Sequence, residues 1–291
     1  MPLINLDNSK RSTYVSCPKK YYWNYKRHLQ PKYGQESLRF GKVYHKMQES
    51  WRKSKINKIS KDLALAEVVK QGLDLWEKET KEGFFNEEEN YRTFPLCYDA
   101  FKLYLDIYGD EDVIPLETEH YFSVPLIQED TWDVNFAGKI DCIGKLTHGD
   151  NLAIFDDKTT TFSPSIAKEQ YRRSAQLLGY SYIASKLKDF HTNIAYVNFV
   201  FIKKLKSGIT VDHDRAVYTF SDYDYVEWHK SLVATAYRIL ESHKTNNFPM
   251  EFDSCYGKYG VCKYLDLCTT PHISDEYIQS KFYEKEWLIY E

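Results

Sequence analysis

"LAIFDDKTTTFSPS", residues 152–165, decides how the rest of the chain is read. Four mostly apolar residues run straight into Asp156, Asp157 and Lys158. Charged groups at the end of a buried strand are costly to desolvate unless something uses them. The stretch is therefore either a strand that stops at the surface or part of an active site. A D-x-K triplet alone does not choose between these, because Glu79-Thr80-Lys81 shows a similar pattern in the polar end of a helical segment. What differs is context. The apolar stretch "FAGKIDCIGKL" lies just upstream and carries Asp141, and "THGDN" joins the two as a hairpin. Paired strands lie about 5 Å apart, so the hairpin brings Asp141 near Asp156. Two carboxylates at that distance repel unless a cation sits between them. Hard oxygen ligands suit Mg2+ or Mn2+. Lys158 beside them can orient or activate water and offset charge developing on a phosphate.

Working outward, the first third reads as helical. Apolar residues recur three and four apart over 12–27, 37–54, 59–79 and 91–109, the last interrupted at Pro95. The texture then becomes β-branched and aromatic over 113–127, 132–146 and 152–160, which predicts strands. A helix is expected at about 165–188, strands near 193–204 and 210–220, a helix near 222–244, and a cysteine-bearing loop from 253 to 270. Strands, helix and strand in one block predict an α/β core preceded by a helical lobe. The expected organisation is one unit: a helical lobe over 1–110, a catalytic core over 111–250 and a cysteine-bearing segment over 251–291.

The chain has 291 residues, 43% apolar and 16% aromatic, which is the composition of a folded protein with ample core. Its formal charge of −3 is unevenly spread: residues 1–60 hold 14 Lys or Arg against 3 Asp or Glu. That asymmetry points to a polyanionic partner. The first residues contain no apolar run of signal-peptide length, and the longest apolar stretch, 194–202, is about half of what spans a bilayer. A cytoplasmic protein without membrane contact is expected, in which six cysteines act as metal ligands or buried thiols rather than disulfides.

Gly138-Lys139-Ile140-Asp141 followed by a strand ending in Asp156-x-Lys158 resembles the PD-(D/E)XK nuclease superfamily, and within it the RecB-like branch. Gly41 to His45 looks like that branch's helical G-x-x-x-H segment, and Gln176 to Tyr180 like its Q-x-x-x-Y motif on the following helix. Gln176 and Tyr180, four apart, share one helical face. The resemblance implies a restriction-endonuclease-like fold, a mixed central sheet flanked by helices. It further implies a phosphodiesterase with one or two metal ions, held by His45, Asp141, Asp156 and the backbone carbonyl of Asp157. Lys158 would serve the attacking water, with Gln176 and Tyr180 in the same cleft. Asp157 departs from the pattern, whose middle position is usually apolar or aromatic; strand alternation turns its side chain away from the metal. Glu49 and Glu117 are reserve ligands.

Cys255, Cys262 and Cys268 fall within fourteen residues of a Gly- and Tyr-rich loop, a natural setting for metal ligands. Members of the same branch, among them the AddAB nuclease subunit and CRISPR-adaptation nucleases, bind a [4Fe–4S] cluster with one N-terminal and three C-terminal cysteines. The resemblance therefore implies Cys17 as the fourth ligand and a cysteine-stapled C-terminus. Four thiolates also suit zinc, which stays open. On the substrate side, Lys19, Lys20, Lys26 and Arg27, interleaved with aromatics, and Arg172 and Arg173 near Gln176, are candidates for DNA contact. No G-x-x-x-x-G-K-[ST] occurs, so any helicase, recombination or CRISPR partner would be a separate chain. The resemblance favours an exonuclease on single-stranded or free DNA ends. The other readings are a structure-selective or adaptation-type endonuclease, and a catalytically idle DNA-binding or assembly protein.

Overall fold

The expected hairpin is present and lies within a mixed sheet. The computed structural model describes residues 3–33, 36–82, 91–110, 112–130, 132–187, 190–257, 260–270 and 273–286. Its elements begin with β1 (Leu3–Leu6), α1 (Asn8–Ser16), α2 (Pro18–Tyr21), a π-helical turn at Tyr22–Lys26 and β2 (Leu29–Pro31). Three longer helices follow, α3 (Glu36–Ile56), α4 (Lys61–Glu82) and α5 (Phe94–Tyr108). Then come β3 (Val113–Gln128), β4 (Asp133–Leu146), β5 (Leu152–Thr160), α6 (Pro164–Tyr171), α7 (Ala175–Ala184), β6 (Ile194–Leu205) and β7 (Gly208–Thr219). The chain closes with α8 (Asp222–Thr245), a 3-10 turn at Phe252–Ser254, β8 (Tyr256–Gly257), β9 (Gly260–Val261), α9 (Leu265–Thr269), α10 (Asp275–Lys281) and β10 (Phe282–Glu284). None of the described helices is long and apolar enough to cross a membrane.

The sheet runs β1-β4-β5-β6-β7, with β3 also paired to β4. β4 and β5 are antiparallel, β5 and β6 parallel, and β6 and β7 antiparallel. The β5-to-β6 connection through α6 and α7 is the crossover that a parallel pair requires. β6 is buried along most of its length, which is why it reads as a continuous apolar run. Its two faces differ. Val200 and Ile202 join the core formed by Phe40, Met47 and Trp51 of α3, Val68 of α4 and Phe101 of α5. Phe199 instead packs edge-on to Tyr171 of α6. The chain divides into two compact units, one of Met1–Tyr33, Tyr121–Gly138 and Val226–Glu291, the other of Gly34–His120 and Lys139–Tyr225.

Strand β1, which pairs with β4, was not expected, and the loop expected over 253–270 contains β8, β9 and α9; other expected elements also differ from those observed. The helix over 12–27 is broken at Cys17, whose backbone is extended (φ −164°) and whose Sγ caps α2 by accepting from Lys20 N at 3.4 Å. The helix over 165–188 is two helices, because Ser174 starts a new one by accepting from Leu177 N. Pro95 opens α5 rather than interrupting it: Thr93 is the cap, and proline in the first turn sacrifices no helical hydrogen bond.

Candidate active site

Backbone pairing of β4 with β5 ends at Cys142–Phe155, and in that register Asp141 falls opposite Asp156. Beyond this point a side chain takes over from the ladder, as Asp157 N donates to Asp141 Oδ2 at 3.2 Å. The same oxygen lies 3.1 Å from His45 Nδ1, presented by α3. Helix α3 comes close to β5 at Gly41, where a Cβ would meet Thr159 Oγ1 at 3.2 Å. Alternation then sorts β5 by face. Asp157 and Thr159 turn towards α3, whereas Asp156 and Lys158 turn away from it. Lys158 Nζ lies 2.8 Å from both oxygens of Asp156, but only Oδ1 is in a hydrogen-bonding direction. Asp156 Oδ2 is buried with no hydrogen-bond partner.

On that second face Gln176 Nε2 donates to the Tyr180 hydroxyl at 3.2 Å, across one turn of α7. Tyr180 is close enough to Asp141 and Asp156 for their charge, added to burial, to hold its hydroxyl protonated. The sequence-expected His45, Asp141, Asp156, Lys158, Gln176 and Tyr180 thus converge at one end of the sheet.

The electrostatics are polarised. Burial pushes Asp156 up to about 6, with Lys158 pulling against it and Asp141 adding to it. Asp141 is only partly buried, and the His45 charge and hydrogen bond, with Lys158, hold it far below the usual carboxylate range. His45 is raised: burial would lower it, but Asp141 prevails. Lys158, despite burial, is held protonated by Asp156. One ionised carboxylate, one poised to change state and a fixed ammonium therefore share the site.

This donor set fits a hard divalent cation. His45, Asp141 and Asp157 offer ligand atoms all within 4.8 Å of one another. The Asp157 carboxylate is already engaged, however. It accepts two bonds from Arg52 at 2.6 and 3.0 Å and one from Asn198 at 2.9 Å. A guanidinium there opposes a second cation. Asp156 lies outside that group of atoms, and its Oδ2, which makes no hydrogen bond, sits 2.8 Å from the Lys158 ammonium.

Sequence reasoning missed Arg52, Asn198 and Glu119. Glu119 lies in β3 with left-handed backbone (φ +55°), which only the surrounding structure sustains in a non-glycine residue, and forms an ion pair with Lys139. Burial raises its pKa, Lys139 opposes this, and nearby Asp141 and Glu49 add to it. No sequence pattern marks the position. The two reserve acids are engaged elsewhere, Glu117 with His120 at 2.7 Å and Glu49 with Lys46 and Lys53.

The expected cluster ligands belong to the other unit. Cys17 Sγ accepts from Lys20 N and from Glu251 N at 3.5 Å, and Cys268 Sγ accepts from Trp23 Nε1 at 3.4 Å. Burial raises the Cys268 thiol, and Cys262 and Cys17 are near enough to add to this. Cys255 is half-buried, its thiol 4.0 Å from Glu251 O. Among the described residues no three sulfurs lie within 4.8 Å of one another. Of the basic candidates, Lys19 sits over the rings of Tyr22 (4.7 Å) and Trp23 (5.3 Å), and Lys26 donates to Asn246 Oδ1 at 2.9 Å. Arg172 and Arg173 are exposed, facing Glu169 and Asp224.

A mixed sheet whose central hairpin gathers two aspartates and a lysine at one end defines a class of metal-dependent nucleases. Residues 8–269 match the model of the PD-(D/E)XK nuclease superfamily, and the chain belongs to it. No curated protein matches the chain. Among solved structures it is similar to a putative exonuclease from Eubacterium rectale, at 12% identity over 93% of this chain and 89% of that one, with a TM-score of 0.49. It is also similar to LHK-Exo in complex with dAMP, at 12% identity over 70% of this chain and 94% of that one, with a TM-score of 0.24.

Proposed function

We propose that the protein is a divalent-metal-dependent deoxyribonuclease of the RecB-like branch, acting as an exonuclease on single-stranded or free DNA ends. The observation that carries this is the convergence of His45, Asp141, Asp156 and Lys158 at the open end of the β4–β5 hairpin, in a chain of this superfamily. His45, Asp141, Asp156 and the backbone carbonyl of Asp157 would hold Mg2+ or Mn2+. Such an ion supplies Lewis acidity towards a phosphoryl oxygen and towards water. His45 becomes a ligand only on giving up the proton that Asp141 stabilises. Lys158 holds its ammonium beside Asp156, placed to orient water and to balance negative charge growing on the phosphate. Gln176 and Tyr180 line the same end of the sheet and orient the substrate.

The reading extends to the cysteines. Cys17, Cys255, Cys262 and Cys268 would bind a structural [4Fe–4S] cluster, supported by the N–H donors already aimed at Cys17 and Cys268. Zinc is the alternative, but tetrahedral Zn–S bonds of 2.3 Å need sulfurs about 3.8 Å apart. A cubane accepts a wider spread. Lys19, Lys20, Lys26, Arg27, Arg172 and Arg173 would contact phosphates, and a cytoplasmic helicase or recombination partner would supply unwound ends.

The test incubates purified protein with end-labelled linear and circular single-stranded DNA, with Mn2+ or Mg2+ and then with EDTA. Degradation of the linear strand alone, abolished by EDTA and by Lys158→Ala, is expected. Cutting of the circle selects an endonuclease instead. Wild-type protein inert towards both, with either ion, selects an idle DNA-binding role.

A further inference from the structure

Asp157 stands between two proposed active-site residues yet faces the other way, fully buried, with its charge matched by Arg52. The ion pair is part of a longer chain of contacts. Asn198 of β6 donates to Asp157 and accepts from Arg215 Nε of β7 at 2.6 Å, and Arg215 Nη1 donates to Asp112, just before β3, at 2.9 Å. Both oxygens of Asp157 are engaged. Burying such a pair costs several kcal/mol per ion, and an apolar pair of similar volume would fold as well, so stability alone does not account for it.

Arg52 and His45 lie on α3 seven residues apart, two turns along the same side, about 10 Å on the helix axis. His45 reaches Asp141 Oδ2, the Asp157 amide donates to that same oxygen, and the Asp157 carboxylate returns to Arg52. The circuit closes on α3 itself. We propose that Arg52 is a positioning residue for His45. Through Asp157 it holds α3 at the register where His45 meets the Asp141 carboxylate, and so sets the affinity of the divalent-cation seat. This rests on the metal-dependent reading of the site.

The test is a double-mutant cycle on the full chain, read as Mn2+ binding by calorimetry without DNA. Arg52→Lys keeps the charge but loses the two-pronged geometry. It should fold and bind Mn2+ about ten-fold more weakly, or about 1.4 kcal/mol. In a His45→Ala background the same change should cost less than about two-fold, because a residue acting through His45 has nothing left to position. An equal loss in both backgrounds, or unchanged binding in Arg52→Lys, overturns the proposal. Should Arg52→Lys fail to fold, Arg52→Gln with Asp157→Asn, which leaves no buried charge, must give the same pattern. If His45→Ala alone leaves Mn2+ binding intact, the ligand assignment fails and the proposal with it. A protein that shows the cycle but cuts no DNA upholds the positioning role and sinks the nuclease reading.

Discussion

Asp156→Asn should make the metal-free protein more stable while destroying its cleavage. Burial moves the Asp156 carboxyl from 3.8 to about 6, against the pull of Lys158. A carboxyl ionised when unfolded but resisting ionisation when folded costs stability, here at most about 3 kcal/mol at neutral pH. The sign follows from which state holds the proton. Above pH 6 both states are ionised and the penalty is full. As pH falls from 6 the folded protein takes up a proton before the unfolded chain does, and below 3.8 the penalty is gone. Asparagine keeps the shape without the charge, and Lys158 retains Asp141 nearby as a counter-charge. The variant should melt a few degrees above wild type at pH 7.5 in EDTA. The gap should close towards pH 4. Thermal unfolding by circular dichroism across that range, paired with the cleavage assay, measures both halves. A variant that melts below wild type at pH 7.5 refutes the reasoning, because attraction to Lys158 would then outweigh desolvation.

Protein purified without oxygen should be brown, with thiolate-to-iron absorption near ~400 nm, and Cys17→Ala should lose the colour. Colourless protein with stoichiometric zinc removes the cluster but keeps the four ligands, and colourless protein with neither metal removes both. Neutralising Lys19, Lys20, Lys26 and Arg27 together should weaken DNA binding and flatten the log–log salt dependence by about 0.7 per lost single-strand phosphate contact; an unchanged slope in filter binding means a solvated face. His243, among Tyr21, Trp132 and Phe248, is pushed down to about 4 by burial and by Lys26. It is neutral in both states above pH 6.5, but below that only the unfolded chain gains its proton, so wild type should lose up to about 3 kcal/mol relative to His243→Gln by pH 4. Parallel stability curves for the two over that range would count against it.

The segments that become β3 to β7 and the hairpin that places Asp141 against Asp156 were legible in the sequence, because both rest on local signals. Apolar alternation selects strands, and "THGDN" turns the chain between them. The gathering of His45, Lys158, Gln176 and Tyr180 was readable only through resemblance, since no single match among them is informative alone. Where a helix stops was less legible: Ser174 and Cys17 break predicted helices by capping, a choice that periodicity does not register. What only the tertiary structure decided is how Asp157 is used. Its partners lie 105 residues upstream and 41 downstream, and nothing local distinguishes a buried arginine on an amphipathic helix from a solvated one. The left-handed backbone of Glu119 is of the same kind, because it costs free energy locally and is recovered by contacts made elsewhere. Local signals set which segments become helix or strand. Desolvation, which depends on what packs around each charge, set which carboxylate is tied to Lys158 and which to an arginine.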